Sequence, residues 1–174
     1  MKQILKDFYK YQLTPTLGYL LSVACVIGGM LLAGVYTNDD LAWLGIAVTV
    51  FFAAMLIYQC VSVYIIAPLH FRKQVASLSE EHANELFSEY PDAKKTENHH
   101  YMSDMVLFYC NRRMIIVRYK DISAITAKRK DLLLYLNDSA KVTLMPCPVD
   151  GLCAVAFAYM RDKNPDIKRL GSAD

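Results

Sequence analysis

The sequence has no Cys-x-x-Cys pair, no glycine-rich phosphate loop, no nucleophile elbow and no paired-carboxylate motif, which leaves a zinc ribbon, a nucleotide cradle and the common hydrolase centres without support. Its five cysteines, Cys25, Cys60, Cys110, Cys147 and Cys153, are scattered, and two fall in apolar runs, so no disulfide scaffold is expected. Small buried hydrophobes that stay reduced in a cytoplasmic setting are the expected state. A strong charge of either sign is also missing: the formal balance of +2 says nothing about a partner. The absence that matters most is local, because Leu17 to Tyr36 contains no ionisable group besides Cys25, Tyr19 and Tyr36.

What is present follows from that gap. The first run has 20 residues, the number that a hydrocarbon layer of ~30 Å requires of a helix. A second run, Leu41 to Pro68, carries Trp43 near one end and Tyr64 near the other, where amphipathic rings favour water interfaces, and is long enough to span with tilt or overhang. Between them lie Thr37, Asn38, Asp39 and Asp40. One unbroken helix would be roughly 78 Å long and would hold both aspartates in lipid at ~2.5 to 3.5 kcal/mol each. An antiparallel transmembrane hairpin, 17–36 and 41–67, is therefore expected. Lys2, Lys6 and Lys10 precede it, Arg72 and Lys73 follow it, and its turn holds only acids, which places both termini and the soluble part in the cytoplasm of a cell with an inner membrane. A cleaved signal peptide fits poorly, since the apolar core and the leader are both too long. With only Gln59 strongly polar in the spans, no ion path is marked. Ala24 and Gly28, with Gly29 and Ala33, sit four apart and permit close helix packing, for which packing within the hairpin is preferred over dimerisation.

The 55% hydrophobic content is concentrated before residue 70, and about 105 residues from His70 onward suffice for one small soluble core. Segment 1–16 reads as a cytoplasmic lead-in, 69–100 as a helical linker, and 101–174 as the soluble domain. Ser77 to Tyr90 reads as a helix capped by Ser77 or Ser79, with Ala76, Ala83, Phe87 and Tyr90 on one face and Pro91 stopping it. Asp92 to His100 reads as irregular linker. Short runs rich in Val, Ile, Leu and Tyr then recur every seven to ten residues, predicting strands at Met102–Tyr109, Arg113–Tyr119, Ile122–Lys128, Leu132–Asn137 and Lys141–Met145. Val142 and Leu144 alternate with Lys141 and Thr143, so one face is core and the other wet. Asp150 can cap a helix over Gly151–Lys163 with Leu152, Val155, Ala156 and Tyr159 as its apolar stripe, stopped at Asn164-Pro165.

The run VLFYCNRRMIIVRYKDISAI, then LLLYLNDSAKVTL, then a closing helix followed by RDKNPDI, resembles the bacterial pleckstrin-homology-like domains fused to two transmembrane helices. Tyr119, Lys120, Asp121 and Ile122 look like the strand-to-strand step seen there. The resemblance covers about residues 100 to 169 and, by architecture, the hairpin. It implies an α+β membrane protein whose seven-stranded partial barrel is capped by a C-terminal helix, and whose two further strands lie within Lys94 to Tyr101 or arise by splitting longer runs.

Arg112 to Lys141 holds eight bases (Arg112, Arg113, Arg118, Lys120, Lys128, Arg129, Lys130, Lys141) against three acids (Asp121, Asp131, Asp138), a local balance of +5. Arg112, Arg113, Lys128, Arg129 and Lys130 are the candidate contacts for anionic lipid head groups or an acidic partner. The plainer alternative, which weighs more, is a solvated tip that discourages edge pairing. Among the histidines, His99-His100, with His82 and His70 upstream, lack ligand spacing and read as an exposed linker pair rather than a metal site. No cofactor, metal or nucleic-acid partner is expected. Cys147 or Cys153 with a histidine is the only Cys/His material, so a non-catalytic interaction or regulatory module, monomeric or homodimeric, is expected, with an oligomeric subunit of a transport or envelope complex as the alternative.

Overall fold

No lysine, arginine, aspartate or glutamate falls from Leu17 to Tyr36 or from Leu41 to Leu69, so no charged side chain interrupts either run. The computed structural model describes residues 1–38, 40–137, 142–148 and 151–170. It divides into two units, Ile4–Leu69 and the chain from His70 onward.

In the first unit α1 (Lys2–Leu32) and α2 (Ala42–Val61) form a helical hairpin, and both helices are long and apolar enough to cross a membrane. Residues 2–16 form the leading half of α1. Gly34 ends that helix in the left-handed region at φ 70°, which a side chain would resist, and a short 3-10 turn over Val35–Thr37 follows. The returning helix fits closely. The Tyr36 ring lies against Gly45, where a Cβ would come within 2.8 Å of it, while the Tyr36 hydroxyl bonds Thr49 Oγ1 at 2.6 Å. Further along, Tyr19 donates to the Phe52 carbonyl (3.4 Å), and the Tyr9 and Tyr64 rings stand 5.2 Å apart. Thr16, Ser22 and Thr49 return their hydroxyls to carbonyls one turn back, so these polar atoms need no water.

Two expectations about the hairpin change. Pro68 does not end the second helix: a π-helical stretch, Ser62–Ile66, leads into α3 (Ala67–Ser77). In that stretch the Ala67 amide reaches the Ser62 carbonyl, a widened turn that accommodates the missing proline N–H and ring. Ala24, Gly29 and Ala33 are exposed, and a Cβ on Gly28 or Gly29 would meet nothing within 4 Å. That face is not what holds the hairpin together; the tyrosine contacts and the close fit at Gly45 do so.

In the second unit Ser79 caps α4 (Glu80–Glu89), its hydroxyl accepting from the His82 amide. Of the expected face Tyr90 is buried, Ala83 and Phe87 are half-buried and Ala76 is exposed, while Leu86, outside that face, is fully buried. Eight strands follow among the described residues. β1 (Lys94–Thr96), β2 (His99–Tyr101), β3 (Met105–Cys110) and β4 (Arg113–Arg118) form an antiparallel sheet in sequence order. β5 (Ile122–Lys128), β6 (Asp131–Leu136) and β7 (Val142–Pro146) pair antiparallel in a second sheet, to which β8 (Lys168–Arg169) adds in parallel beside β5. Asp92 to His100 is thus not an irregular linker, since β1 and β2 lie within Lys94 to Tyr101. The strands do not close a barrel among the described residues.

Tyr119–Asp121, a single 3-10 turn, carries the chain from one sheet to the other, and Arg118 clamps Asp121 through Nε and Nη2 at 2.7 and 3.1 Å. One core joins both sheets to α5 (Leu152–Lys163): Phe108, Val117, Ile125, Leu134 and Met145 pack with Leu152, Ala156 and Met160. Val155, expected in the stripe, is 48% exposed, and Tyr159 is half-buried. In β7 alternation holds with the opposite phase. Leu132 faces Met145 and Leu134 faces Thr143, so Met145 and Thr143 take the core side, leaving Val142 and Leu144 exposed. Residues 138–140 between the last two expected strands, the expected strand start at Lys141 and the Asp150 cap lie outside the described residues.

Candidate functional site

Two hairpin turns carry the five candidate cations, and both have a two-residue loop. Cys110 pairs with Arg113 around Asn111-Arg112, and Lys128 pairs with Asp131 around Arg129-Lys130. In each, the first loop residue has positive φ, 52° at Asn111 and 53° at Arg129. Asparagine tolerates that region; arginine does so at a cost on the order of 1 kcal/mol. Lys128, Arg129, Lys130 and Arg113 are exposed and Arg112 is half-buried.

The turns belong to different sheets, yet they share one end of the unit. Asn98, fully buried, donates through Nδ2 to the Tyr109 carbonyl and to the Pro146 carbonyl, each at 3.1 Å. Tyr109 is one residue before Cys110, and Pro146 stands opposite Asp131 in the ladder. The amide therefore ties the root of one basic turn to the root of the other. Two further observations agree: the Cys147 amide donates to the Lys130 carbonyl at 2.7 Å, and the Cys110 thiol, whose pKa burial raises, also senses Asp131, which raises it, and Arg113, which lowers it. The basic end so assembled comprises Arg112, Arg113, Lys128, Arg129 and Lys130, with Asp131 beside them and Glu97 in the adjoining β1–β2 turn.

His99 reinforces the joint. Its Nε2 donates to the Pro146 carbonyl at 2.7 Å, since a carbonyl can only accept, and Nδ1 then accepts from the Tyr101 hydroxyl at 3.0 Å. Burial pushes its pKa down to about 4, against a raising contribution from the Pro146 bond. Burial likewise raises the Tyr101 phenol, which keeps it a donor. His100 points to the other face of the strand, its ring 4.8 Å from Tyr90 and 5.2 Å from Tyr109. The two histidines do diverge as extended neighbours must, but they are not solvent-exposed: 0% and 5% of their surfaces are accessible. Pairing of β2 with β3 buries them, and a short polar-looking segment carries no periodicity from which that pairing can be foreseen.

The histidine that meets carboxylates is His82. Its ligand atom and those of Glu85 and Asp104 lie within 4.8 Å of one another, the first two one turn apart on α4 and the third in the β2–β3 connection. Ser79 Oγ bonds His82 Nδ1. Burial, then Asp104 and Glu89, raise the Glu85 pKa, while His82 lowers it. These groups could hold a divalent cation, although Asp104 is exposed. Cys147 and Cys153 lie near each other, but burial first and the neighbouring Cys153 second raise the Cys147 pKa, the reverse of nucleophile activation.

No protein-family model matches this chain, and no curated protein matches it. Function therefore rests on the geometry.

Proposed function

We propose that the protein is a two-span membrane protein whose β-sheet unit is a pleckstrin-homology-like, non-catalytic interaction module on the cytoplasmic side, using its basic end to contact anionic lipid head groups. The observation that carries this reading is the tie through Asn98, which turns two separate basic turns into one cationic surface. Insertion is supported by exposure. Only 6% of each apolar stretch is buried, and side chains such as Leu21 and Trp43 are each 68% exposed, a continuous apolar surface that water does not tolerate. The domain assignment is supported by seven strands in two sheets preceding a helix, with the Tyr119–Asp121 step between sheets. Arg129 in a conformation that glycine or asparagine would occupy with less strain supports a role for its charge.

The test uses the full chain in nanodiscs of neutral or phosphatidylglycerol-containing lipid, with hydrogen exchange read at residues 110–113 and 128–131. Anionic lipid should protect both turns. Replacing Lys128, Arg129 and Lys130 together by alanine should abolish the difference, since about 1 kcal/mol per base amounts to about 3 kcal/mol, on the order of a hundredfold. Arg129→Gly should keep or slightly raise stability while weakening protection. Equal exchange in both lipids would refute lipid contact and leave the turns as a solvated tip.

A second reading, an oligomeric subunit of a transport or envelope complex, is favoured by one observation. The small-residue face through Ala24, Gly28, Gly29 and Ala33 is left open by the hairpin, as a helix-packing surface for another copy would be. Gly28→Leu with Gly29→Leu should dissociate such an assembly in native mass spectrometry.

A further inference from the structure

Helix α5 turns Leu152, Ala156 and Met160 into the core, and its flank, carrying Cys153, Ala154 and Phe157, faces β5 and β6. Opposite that flank lie Ile125 and Ala127 of β5 and Leu132 of β6. Small side chains occupy both walls here, at Ala127, Cys153 and Ala154, and leave a gap along the margin of the helix–sheet contact. A cavity of about 250 Å³ remains. It is an open groove rather than a sealed void: Ala154 and Arg169 on its wall are exposed and Ala127, Cys153 and Phe157 are half-buried, so a ligand can enter from solvent.

The walls tell what would fill it. They are apolar, so water inside would find few partners, and the one charged group is Arg169 of β8. Its guanidinium stands over the Phe157 ring, 5.5 Å from the centroid, and no carboxylate pairs with it among the described residues. An apolar chamber with one unpaired cation at its rim complements an alkyl body with an anionic head. A bare phosphate would leave the apolar walls unsatisfied, and a neutral hydrocarbon would ignore Arg169. The volume falls just short of the usual small-molecule range, from ~300 Å³ upward, which suits one short chain and not a two-chain phospholipid.

We propose that this cavity binds a medium-chain fatty carboxylate, with its alkyl chain between α5 and the β5–β6 pair and its carboxylate on Arg169. Ala127 and Leu132 of its wall adjoin the Lys128–Asp131 turn in the β5–β6 ladder, but the site is argued from Arg169 and the apolar walls and does not depend on the role assigned to that turn.

Cys153 supplies a local reporter. With the full chain in neutral nanodiscs, thiol alkylation is followed peptide by peptide, using octanoate as probe, octanol and butyrate as controls and Cys110 as internal reference. Octanoate should slow alkylation of Cys153 but not of Cys110, and octanol and butyrate should need about tenfold higher concentrations for the same effect. Arg169→Gln should bring octanoate down to the level of octanol, and Ala154→Leu, which fills the chamber, should remove the octanoate effect. Equal protection by octanol, an unchanged response in Arg169→Gln, or parallel slowing at Cys110 would overturn the proposal in favour of simple partition into the bilayer. Equal protection by butyrate would overturn it in favour of a plain anion site. If Cys153 fails to react even without probe, the carboxyl carbon resonance of ¹³C-labelled octanoate reads the same contrasts, and a shift insensitive to Arg169→Gln overturns the proposal.

Discussion

At the scale of single residues, His99 shows how burial changes the meaning of a titratable group. Held neutral between the Pro146 carbonyl and the Tyr101 hydroxyl, it takes a proton in the folded state only near pH 4, whereas in the unfolded chain it does so near 6.5. Between those values the unfolded state binds more protons, so stability is full above pH 6.5 and is lost as pH falls toward 4. The loss approaches about 3 kcal/mol once both states can protonate. Thermal midpoints of the β-sheet unit, followed by circular dichroism from about pH 7 to about pH 4.5, should therefore fall more steeply in the parent than in His99→Gln. Parallel slopes would show that other groups govern acid sensitivity. Neither the burial nor the partners of His99 could be read from the pair His99-His100, because both come from strands distant in sequence.

At the scale of elements, α3 protects the exposed side of β4. Gln74 places its amide on that strand, donating through Nε2 to the Met114 carbonyl at 2.9 Å and accepting from the Ile116 amide through Oε1 at 3.1 Å. β4 ends its sheet, and a free edge of this kind invites pairing with another chain. Gln74→Ala should cost about 1 to 3 kcal/mol and speed exchange at the Ile116 amide more than at Val117. Element existence was largely legible, since the apolar runs behind β3 to β7 and α5 were each recognisable from composition and turns. Phases and ends were less so. Val142 and Leu144 look like core residues, but the register with β6 gives the core side to Met145, and α4 buries Leu86, which the expected face did not include. β1 and β2, three residues each, are too short to display any alternation.

At the scale of the whole molecule, two units of different character share one chain, and the reading of the first as a membrane hairpin makes a direct prediction. Reporter domains fused at Asn38 and after the last residue should lie on opposite sides of the membrane, with the tail in the cytoplasm. Reporters on the same side would refute a two-span arrangement. The candidate basic residues were all visible in the sequence as an excess of charge; that their two turns are tied at one end of the β-sheet unit was not.

Composition and hydrophobic patterning by themselves determined the hairpin, the division near residue 70 and the class of each long element, because those depend on local water avoidance and backbone preference. Only the tertiary structure decided which turns meet, what buries His99 and where the cavity beside Arg169 opens. These depend on pairings between residues far apart in sequence, whose register no single segment encodes.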